Sequence, residues 1–218
     1  MNQLVFKFPF KVKYYKHDFY VSSNNFSAYK LIESWPNWPG KWLNVFGMSG
    51  SGKTHLSKIL EKKIKKLKLI KAKDVNDKIL QKLHTNECLI IDNYQNDIEE
   101  KLFYSILNQS KQLENFIVIN SIYPIKKTKF NLKDLKSRID SFIHIGIELP
   151  TDDLLKVIIS KSFSDKQINI NPKISEYIIK NVERSYEKMF KFLKDIDELS
   201  LSTGKSININ LIKKVLNQ

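Results

Sequence analysis

The period of the apolar positions changes repeatedly along the chain, and each change marks a predicted element. Trp42-Leu43-Asn44-Val45-Phe46, Leu67 to Lys71, Glu87-Cys88-Leu89-Ile90-Ile91-Asp92-Asn93, Phe116-Ile117-Val118-Ile119-Asn120-Ser121 and Phe142-Ile143-His144-Ile145-Gly146-Ile147 are apolar runs of strand length. Helical patterns lie between them. Leu56, Ile59, Leu60, Ile64 and Leu67 share one stripe, a helix is expected near Asp74 to Leu83, another opens around Asp97, Glu99 and Glu100 and runs to about Leu107, and a short one spans Asp134 to Ile139. Strands alternating with helices predict a parallel sheet covered on both faces. From Pro150-Thr151-Asp152-Asp153, a helix start with Thr151 as cap, the pattern is helical to the end: about 152–162, 173–182, 185–201 and 208–217. Tyr186, Met189, Phe190, Leu193 and Ile196 form the expected core stripe of the third.

Ahead of the first long strand, Asn24-Asn25 precede a helix with Ala28, Leu31 and Ile32 apolar. Trp35-Pro36-Asn37-Trp38-Pro39-Gly40 then reads as a turn whose tryptophans are packing anchors. At the N-terminus, Gln3-Leu4-Val5-Phe6-Lys7-Phe8 alternates so that Leu4, Phe6 and Phe8 share a face, and Pro9 discourages continuation. Two readings stand there: an edge strand, or a linear motif that lays alternate side chains into another protein's pocket.

Composition narrows the class. The 218 residues, 42% hydrophobic, suffice for one sizeable core and a smaller appended unit. The single Cys88 lies inside an apolar strand, which excludes a disulfide framework and a thiolate metal site and fits a reducing cytoplasm. No apolar run approaches the ~20 residues that span a bilayer, so no membrane partner is expected. The formal charge of +14 suggests a polyanion partner, yet the densest cluster, Lys62, Lys63, Lys65, Lys66 and Lys68, reads as the solvated face of the helix after the first strand. Of the 37 basic residues only Arg138 and Arg184 are arginine. In so lysine-rich a chain, a guanidinium marks a place that needs a fixed planar fork, as in phosphate recognition.

The chemistry is concentrated in Gly47-Met48-Ser49-Gly50-Ser51-Gly52-Lys53-Thr54, between a strand and a helix. Gly47, Gly50 and Gly52 let consecutive backbone N–H groups turn inward with Ser51 between them, and Lys53 adds a cation at the helix start. This is the pattern of a phosphate-binding loop for ATP or ADP, with the Thr54 hydroxyl directed to Mg²⁺. Asp92, ending a buried strand, is a second candidate for holding Mg²⁺ through water. The next position, where hydrolytic proteins often carry an acid that orients water, is Asn93, which cannot take a proton and argues against fast unaided hydrolysis. Asn120 or Ser121, at another strand end, is placed to sense a γ-phosphate.

A nucleotide sheet domain followed by a helical lid, with arginines at these two places, resembles the AAA+ ATPases. Asp18-Phe19-Tyr20-Val21 with Asn24-Asn25, Gly52-Lys53-Thr54-His55-Leu56, and Asp134-Leu135-Lys136-Ser137-Arg138 are similar to the initiator DnaA and its relatives. DnaA carries a DNA-reading helix-turn-helix domain beyond its lid, whereas this sequence stops at Gln218, so the resemblance narrows to the Hda/HdaA family. Pro150-Thr151-Asp152-Asp153-Leu154-Leu155, Asp165-Lys166-Gln167 and Glu183-Arg184-Ser185-Tyr186 resemble that family's lid signatures, and Gln3-Leu4-Val5-Phe6-Lys7-Phe8 resembles its clamp peptide, with Phe6 where leucine is usual.

The resemblance implies a five-stranded parallel AAA+ sheet flanked by helices and an all-helical lid, divided as a clamp-binding tail at 1–16, a nucleotide domain at 17–149 and a lid at 150–218. It implies Arg138 as an arginine finger acting in trans on ATP bound to DnaA, and Arg184 as a second sensor contacting this chain's own nucleotide, ADP above all, alongside His55 of the loop helix. Gln3, Leu4, Phe6 and Phe8 would bind the DNA polymerase III sliding clamp, with DNA met indirectly through it, and a homodimer is left open. The expected function is to promote hydrolysis of DnaA-bound ATP and so prevent over-initiation. The alternatives are a self-sufficient replication ATPase such as a helicase loader, a nucleotide kinase, and a DNA-binding regulator driven by the charge.

Overall fold

The computed structural model describes residues 19–216, and the chain divides between Glu148 and Leu149 into two compact units. The first holds the sheet: β1 (Trp42–Gly47), β2 (Leu67–Lys71), β3 (Cys88–Tyr94), β4 (Phe116–Ser121) and β5 (Ile143–Ile147), with helices α1 (Phe26–Glu33), α2 (Lys53–Glu61), α3 (Glu100–Gln112) and α4 (Lys133–Asp140). The strands run in the order β2-β3-β4-β1-β5 and every pairing is parallel. Such a sheet is buried on both faces, which is why its central strands read as unbroken apolar runs.

Strand alternation sends those runs two ways. Leu43, Val45, Cys88, Ile90 and Val118 pack on one face with Ala28 and Ile32 of α1 and Leu56, Ile59 and Leu60 of α2. Trp42, Leu89, Ile91, Ile117 and Ile119 pack on the other with Phe103, Ile106 and Leu107 of α3 and Leu135 and Ile139 of α4. Burial pushes the Cys88 thiol up to about 12, leaving it a packing residue. The tryptophans do anchor the early turn: Trp35 meets Trp38 and Phe116 edge-on, with ring centroids 5.0 and 4.2 Å away.

Three expectations change. The stripe from Leu56 to Leu67 is not one helix: α2 ends at Glu61, and Ile64 and Leu67 reach the same cluster from the following turn and from β2. The helix expected near Asp74 to Leu83 is a pair of 3-10 turns, Ala72–Asp74 and Asp77–Lys82. Val75 and Asn76 are extended between them, and Asn76 caps the second turn, its side chain accepting from the Lys78 N–H at 3.1 Å. Phe190, placed by its spacing in the core, is instead 46% exposed.

The second unit is helical: α5 (Asp152–Ser164), α6 (Pro172–Asn181), α7 (Tyr186–Thr203) and α8 (Ile209–Leu216). Thr151, Asn171 and Ser185 cap the first three through their side chains, and Gly204, at φ 63°, ends α7 in the left-handed region. Leu155, Ile159, Phe163, Ile178, Met189 and Leu193 belong to its separate core.

A buried polar node centred on Asn44 locks β1, β4 and β5 together. Asn44 donates to the Ile119 carbonyl and to Ser121 Oγ, both at 2.9 Å, and its Oδ1 accepts from Ile125 N at 3.0 Å and contacts His144 Nδ1 at 3.1 Å. Because an amide oxygen only accepts, Nδ1 carries the imidazole hydrogen. Nε2 is buried and makes no hydrogen bond among the described residues. Burial, helped by the Lys126 charge, accordingly lowers the His144 pKa from 6.5, against weaker pulls from the Ile139 carbonyl and Asp140. The unfolded chain then takes up the proton more readily than the folded one. Stability is full above the unfolded value and is lost as pH falls through it toward the lowered folded value. Melting temperature should therefore drop between about pH 7.5 and 5.5, and His144→Gln, which keeps a donor but cannot titrate, should flatten that drop in a pH series of thermal melts.

Candidate functional site

The loop between β1 and α2 has the shape its glycines require. A Cβ on Gly47 would lie 2.8 Å from the Ile147 carbonyl oxygen and 2.9 Å from Ser51 Oγ, so any larger residue would displace backbone. Gly50 and Gly52 hold φ of 78° and 96°, the left-handed region glycine tolerates best. Gly52 is the N-cap of α2 and offers no side-chain acceptor, so the first N–H groups of the helix are left for a phosphate. The Lys53 ammonium donates to the carbonyls of Gly47 at 2.6 Å and Met48 at 2.9 Å. Burial lowers its pKa from 10.5 while the nearby Asp92 charge opposes the shift.

Beside the loop, Asp92 at the end of β3 gathers its neighbours although only 8% of it is exposed. It accepts from the Thr54 hydroxyl at 2.9 Å and from Asn120 Nδ2 at 2.7 Å, and that same amide nitrogen donates to Ser57 Oγ at 2.7 Å. Asn120 Oδ1 is buried and makes no hydrogen bond among the described residues. An orphaned amide oxygen, a shielded carboxylate, a hydroxyl, an ammonium and a cradle that admits no Cβ together fit a nucleotide's phosphates with Mg²⁺. Thr54 and Asp92 would hold the cation and Lys53 the phosphate oxygens.

His55 meets Phe19 edge-on at 5.3 Å, Phe19 stacks on Tyr29 at 5.7 Å, and the Phe19 ring lies 2.9 Å from where a Gly52 Cβ would stand. An aromatic wall therefore flanks the loop. Sequence reasoning missed Phe19 and Tyr29 as site residues, and Ser57 too, although its place one turn after Thr54 on α2 was a signal for it.

Asn93 is more than a substitute for an acid. It sits at φ 59°, next to an irregularity at which Ile91 pairs with Ile119 but Tyr94 pairs with Ser121. The extra residue moves Tyr94 to the opposite face from Asp92, into the core under α3 and α4, and the Asn93 Oδ1 accepts from Gln95 Nε2 at 3.3 Å. Asparagine tolerates that left-handed backbone far better than most residues. On β4 ordinary strand alternation separates the two polar residues at its end: Asn120 meets Asp92, whereas Ser121 joins Asn44.

Thus Gly47, Gly50, Ser51, Gly52, Lys53, Thr54, His55, Asp92 and Asn120 come together within the first unit, and Arg138 of that unit is not among them. Arg138 is on α4, packed against the sheet face opposite α2, and its Nη2 donates to Asn108 Oδ1 of α3 at 3.0 Å. Arg184 belongs to the helical unit, where it pairs with Asp152 Oδ1 at 2.5 Å, both half-exposed. Gln3, Leu4, Phe6 and Phe8 lie outside the described residues.

Residues 152–216 match the protein family described as Hda, lid domain, and residues 43–145 the family described as RNA helicase. The chain is 27% identical over 235 residues to the chromosomal replication initiator protein DnaA of Buchnera aphidicola subsp. Cinara cedri, covering 94% of this chain and 53% of that protein. It thus spans about half the length of the DnaA proteins it matches. Domain III of Thermotoga maritima DnaA superposes with a TM-score of 0.76 at 18% identity, covering 96% of this chain and 98% of that one. AMPPCP-bound DnaA from Aquifex aeolicus superposes at 0.68 with 19% identity, over 88% and 67% of the two chains.

The lowered Lys53 pKa has a measurable consequence. A phosphate beside the ammonium favours its charged form, so binding at alkaline pH takes up a proton, and affinity weakens as pH rises through the lowered value rather than through 10.5. Titration calorimetry of ATP binding should show this weakening, and Lys53→Arg, which keeps its charge throughout, should remove the slope.

Proposed function

This chain belongs to the Hda/DnaA-related AAA+ proteins, and from that premise we propose that it is an ADP-binding adaptor that promotes hydrolysis of ATP held by DnaA. The observation that carries the reading is Arg138. It is one of two guanidiniums among 37 basic residues, and it stands on the sheet face opposite its own phosphate loop. A group so placed serves a triphosphate presented by a neighbour better than one in its own chain.

In this mechanism Lys53, the amides following Gly52, and Thr54 with Asp92 bind the chain's own nucleotide, and Asn120 holds the Asp92 carboxylate in place. Bound Mg²⁺ supplies neutralisation of phosphate charge there. Asn93 offers no base to orient water, so the pocket favours retention of nucleotide over turnover. Arg138 reaches across the interface to DnaA and places its planar fork against the γ-phosphate oxygens as charge spreads over them. Arg184 is the lid's second sensor, its exposed ion pair with Asp152 being weak enough to open. Residues 1–16 are the tail that docks on the sliding clamp through Gln3, Leu4, Phe6 and Phe8, so that activity is confined to the cytoplasmic clamp loaded on DNA.

Arg138→Ala should leave nucleotide affinity and clamp capture intact while abolishing acceleration of DnaA-bound ATP hydrolysis, a loss on the order of 10³ or more if the finger acts in trans. Undiminished acceleration by the variant would reject the assignment, and brisk turnover by the isolated protein would favour a self-sufficient ATPase. Deleting residues 1–8 should abolish capture on immobilised clamp with little change in melting temperature; a large loss of stability would instead identify the segment as an edge strand.

A further inference from the structure

Arg138 is held from a second helix. The eight-residue α4 begins at Leu132, an N-cap without a side-chain acceptor. Glu100 at the start of α3 instead holds the chain that enters the helix: its carboxylate accepts from Asn131 N at 3.0 Å, Leu132 N at 2.9 Å and Asn131 Nδ2 at 3.2 Å. These bonds hold the Glu100 pKa below the usual carboxylate range. Two turns further along α3, Asn108 Oδ1 accepts from Arg138 Nη2 at 3.0 Å. The Arg138 carbonyl in turn accepts from Ser141 Oγ at 2.6 Å and Ser141 N at 3.2 Å, which fixes the backbone beneath the side chain. The helix is therefore pinned at its entry by a charge and at its arginine by an amide.

The chemistry of the second pin matters. A carboxylate at position 108 would form a charge-assisted bidentate pair with the guanidinium, which any incoming phosphate would have to break. A neutral amide orients the fork through one weaker bond, and among the described residues no carboxylate forms an ion pair with it. We propose that Glu100 and Asn108 are positioning residues, setting α4 and the Arg138 guanidinium in the orientation from which it meets an anionic γ-phosphate in trans. The inference rests on the function proposed above and adds the residues through which its arginine is presented.

Two readouts separate this inference from its premise. Because the chain has only two arginines, protein labelled with ¹⁵N-arginine gives two Nε–H signals, and Arg138→Lys identifies the one to follow. Asn108→Ala should shift and narrow the Arg138 signal as the side chain is released, leaving that of Arg184 in place. In the DnaA-bound ATP assay with DNA-loaded clamp, Asn108→Ala should lower the maximal rate about three- to tenfold while moving the half-saturating concentration less than about twofold. Asn108→Asp should lower the rate further and recover in part with added salt, a response that a merely structural role does not produce. Glu100→Ala should likewise reduce the maximal rate, with melting temperature checking that α3 and α4 stay folded. An Arg138 signal unchanged by Asn108→Ala overturns this inference alone. So does an effect confined to half-saturation, which would make Asn108 a contact residue, or an Asn108→Asp variant as active as Asn108→Ala. A wild-type protein that leaves DnaA-bound ATP unhydrolysed overturns the premise and the inference with it.

Discussion

The arrangement of this site depends on one nearly buried carboxylate. Withdrawing a carboxylate from water is costly unless donors replace the solvent, and Asp92 receives them from the Thr54 hydroxyl on α2 and the Asn120 amide on β4, with the Lys53 charge nearby. Hydrogen bonds to a charged group contribute about 1.5–3 kcal/mol each. They also tie the loop helix, the central strand and its neighbour into one geometry. Removing a single donor would leave a shielded charge short of partners, so the node constrains α2, β3 and β4 at once.

From that node the sheet keeps two chemistries apart. The left-handed Asn93 and its bulge put Asp92 toward the phosphate loop and Tyr94 toward α3 and α4 within two residues. Asn120 and Ser121 divide between the same two faces at the end of β4 by ordinary strand alternation. One face thereby receives the chain's own nucleotide chemistry, and the other carries the helix with Arg138. The Asn44 network reinforces the second face by joining Ile119, Ser121, Ile125 and His144 through one side chain whose donors and acceptor are all in use.

Much of this was legible in the residues. The five runs became five strands, and the clearest of them were β3 and β4, because central strands buried on both sides leave continuous hydrophobic sequence. The phosphate loop was legible because its glycines are demanded by backbone geometry rather than by distant contacts. Less can be read where tertiary or local polar contacts decide. Nothing in the apolar spacing announces that Val75 and Asn76 are extended, which splits the expected helix into two 3-10 turns. The apolar stripe of α2 misleads for a related reason, since Ile64 and Leu67 reach the same core from beyond the helix end. In the sequence Asn93 is a chemical substitution, whereas its backbone conformation is a structural role that only a paired strand reveals. Nor can Glu100 and Asn108 be picked from the sequence, because they matter through residues about thirty positions away.

The two arginines show how one residue type is put to different electrostatic use. Arg184 is paired with a carboxylate of its own unit, so its charge is largely compensated, and exposure keeps that pair weak enough to exchange. Arg138 has an amide for a partner and keeps its charge. Lysine could replace neither without loss: its ammonium is a mobile point charge, more strongly hydrated, with no plane to be fixed by a neighbour. On the function proposed above, a chain that uses lysine for nearly every other positive charge places a guanidinium where orientation has to be set before an anion arrives. The neutral tether on Arg138 suits the partner proposed above, whose negative charge develops during a reaction, since a permanent counter-charge within the chain would satisfy the guanidinium before that partner could.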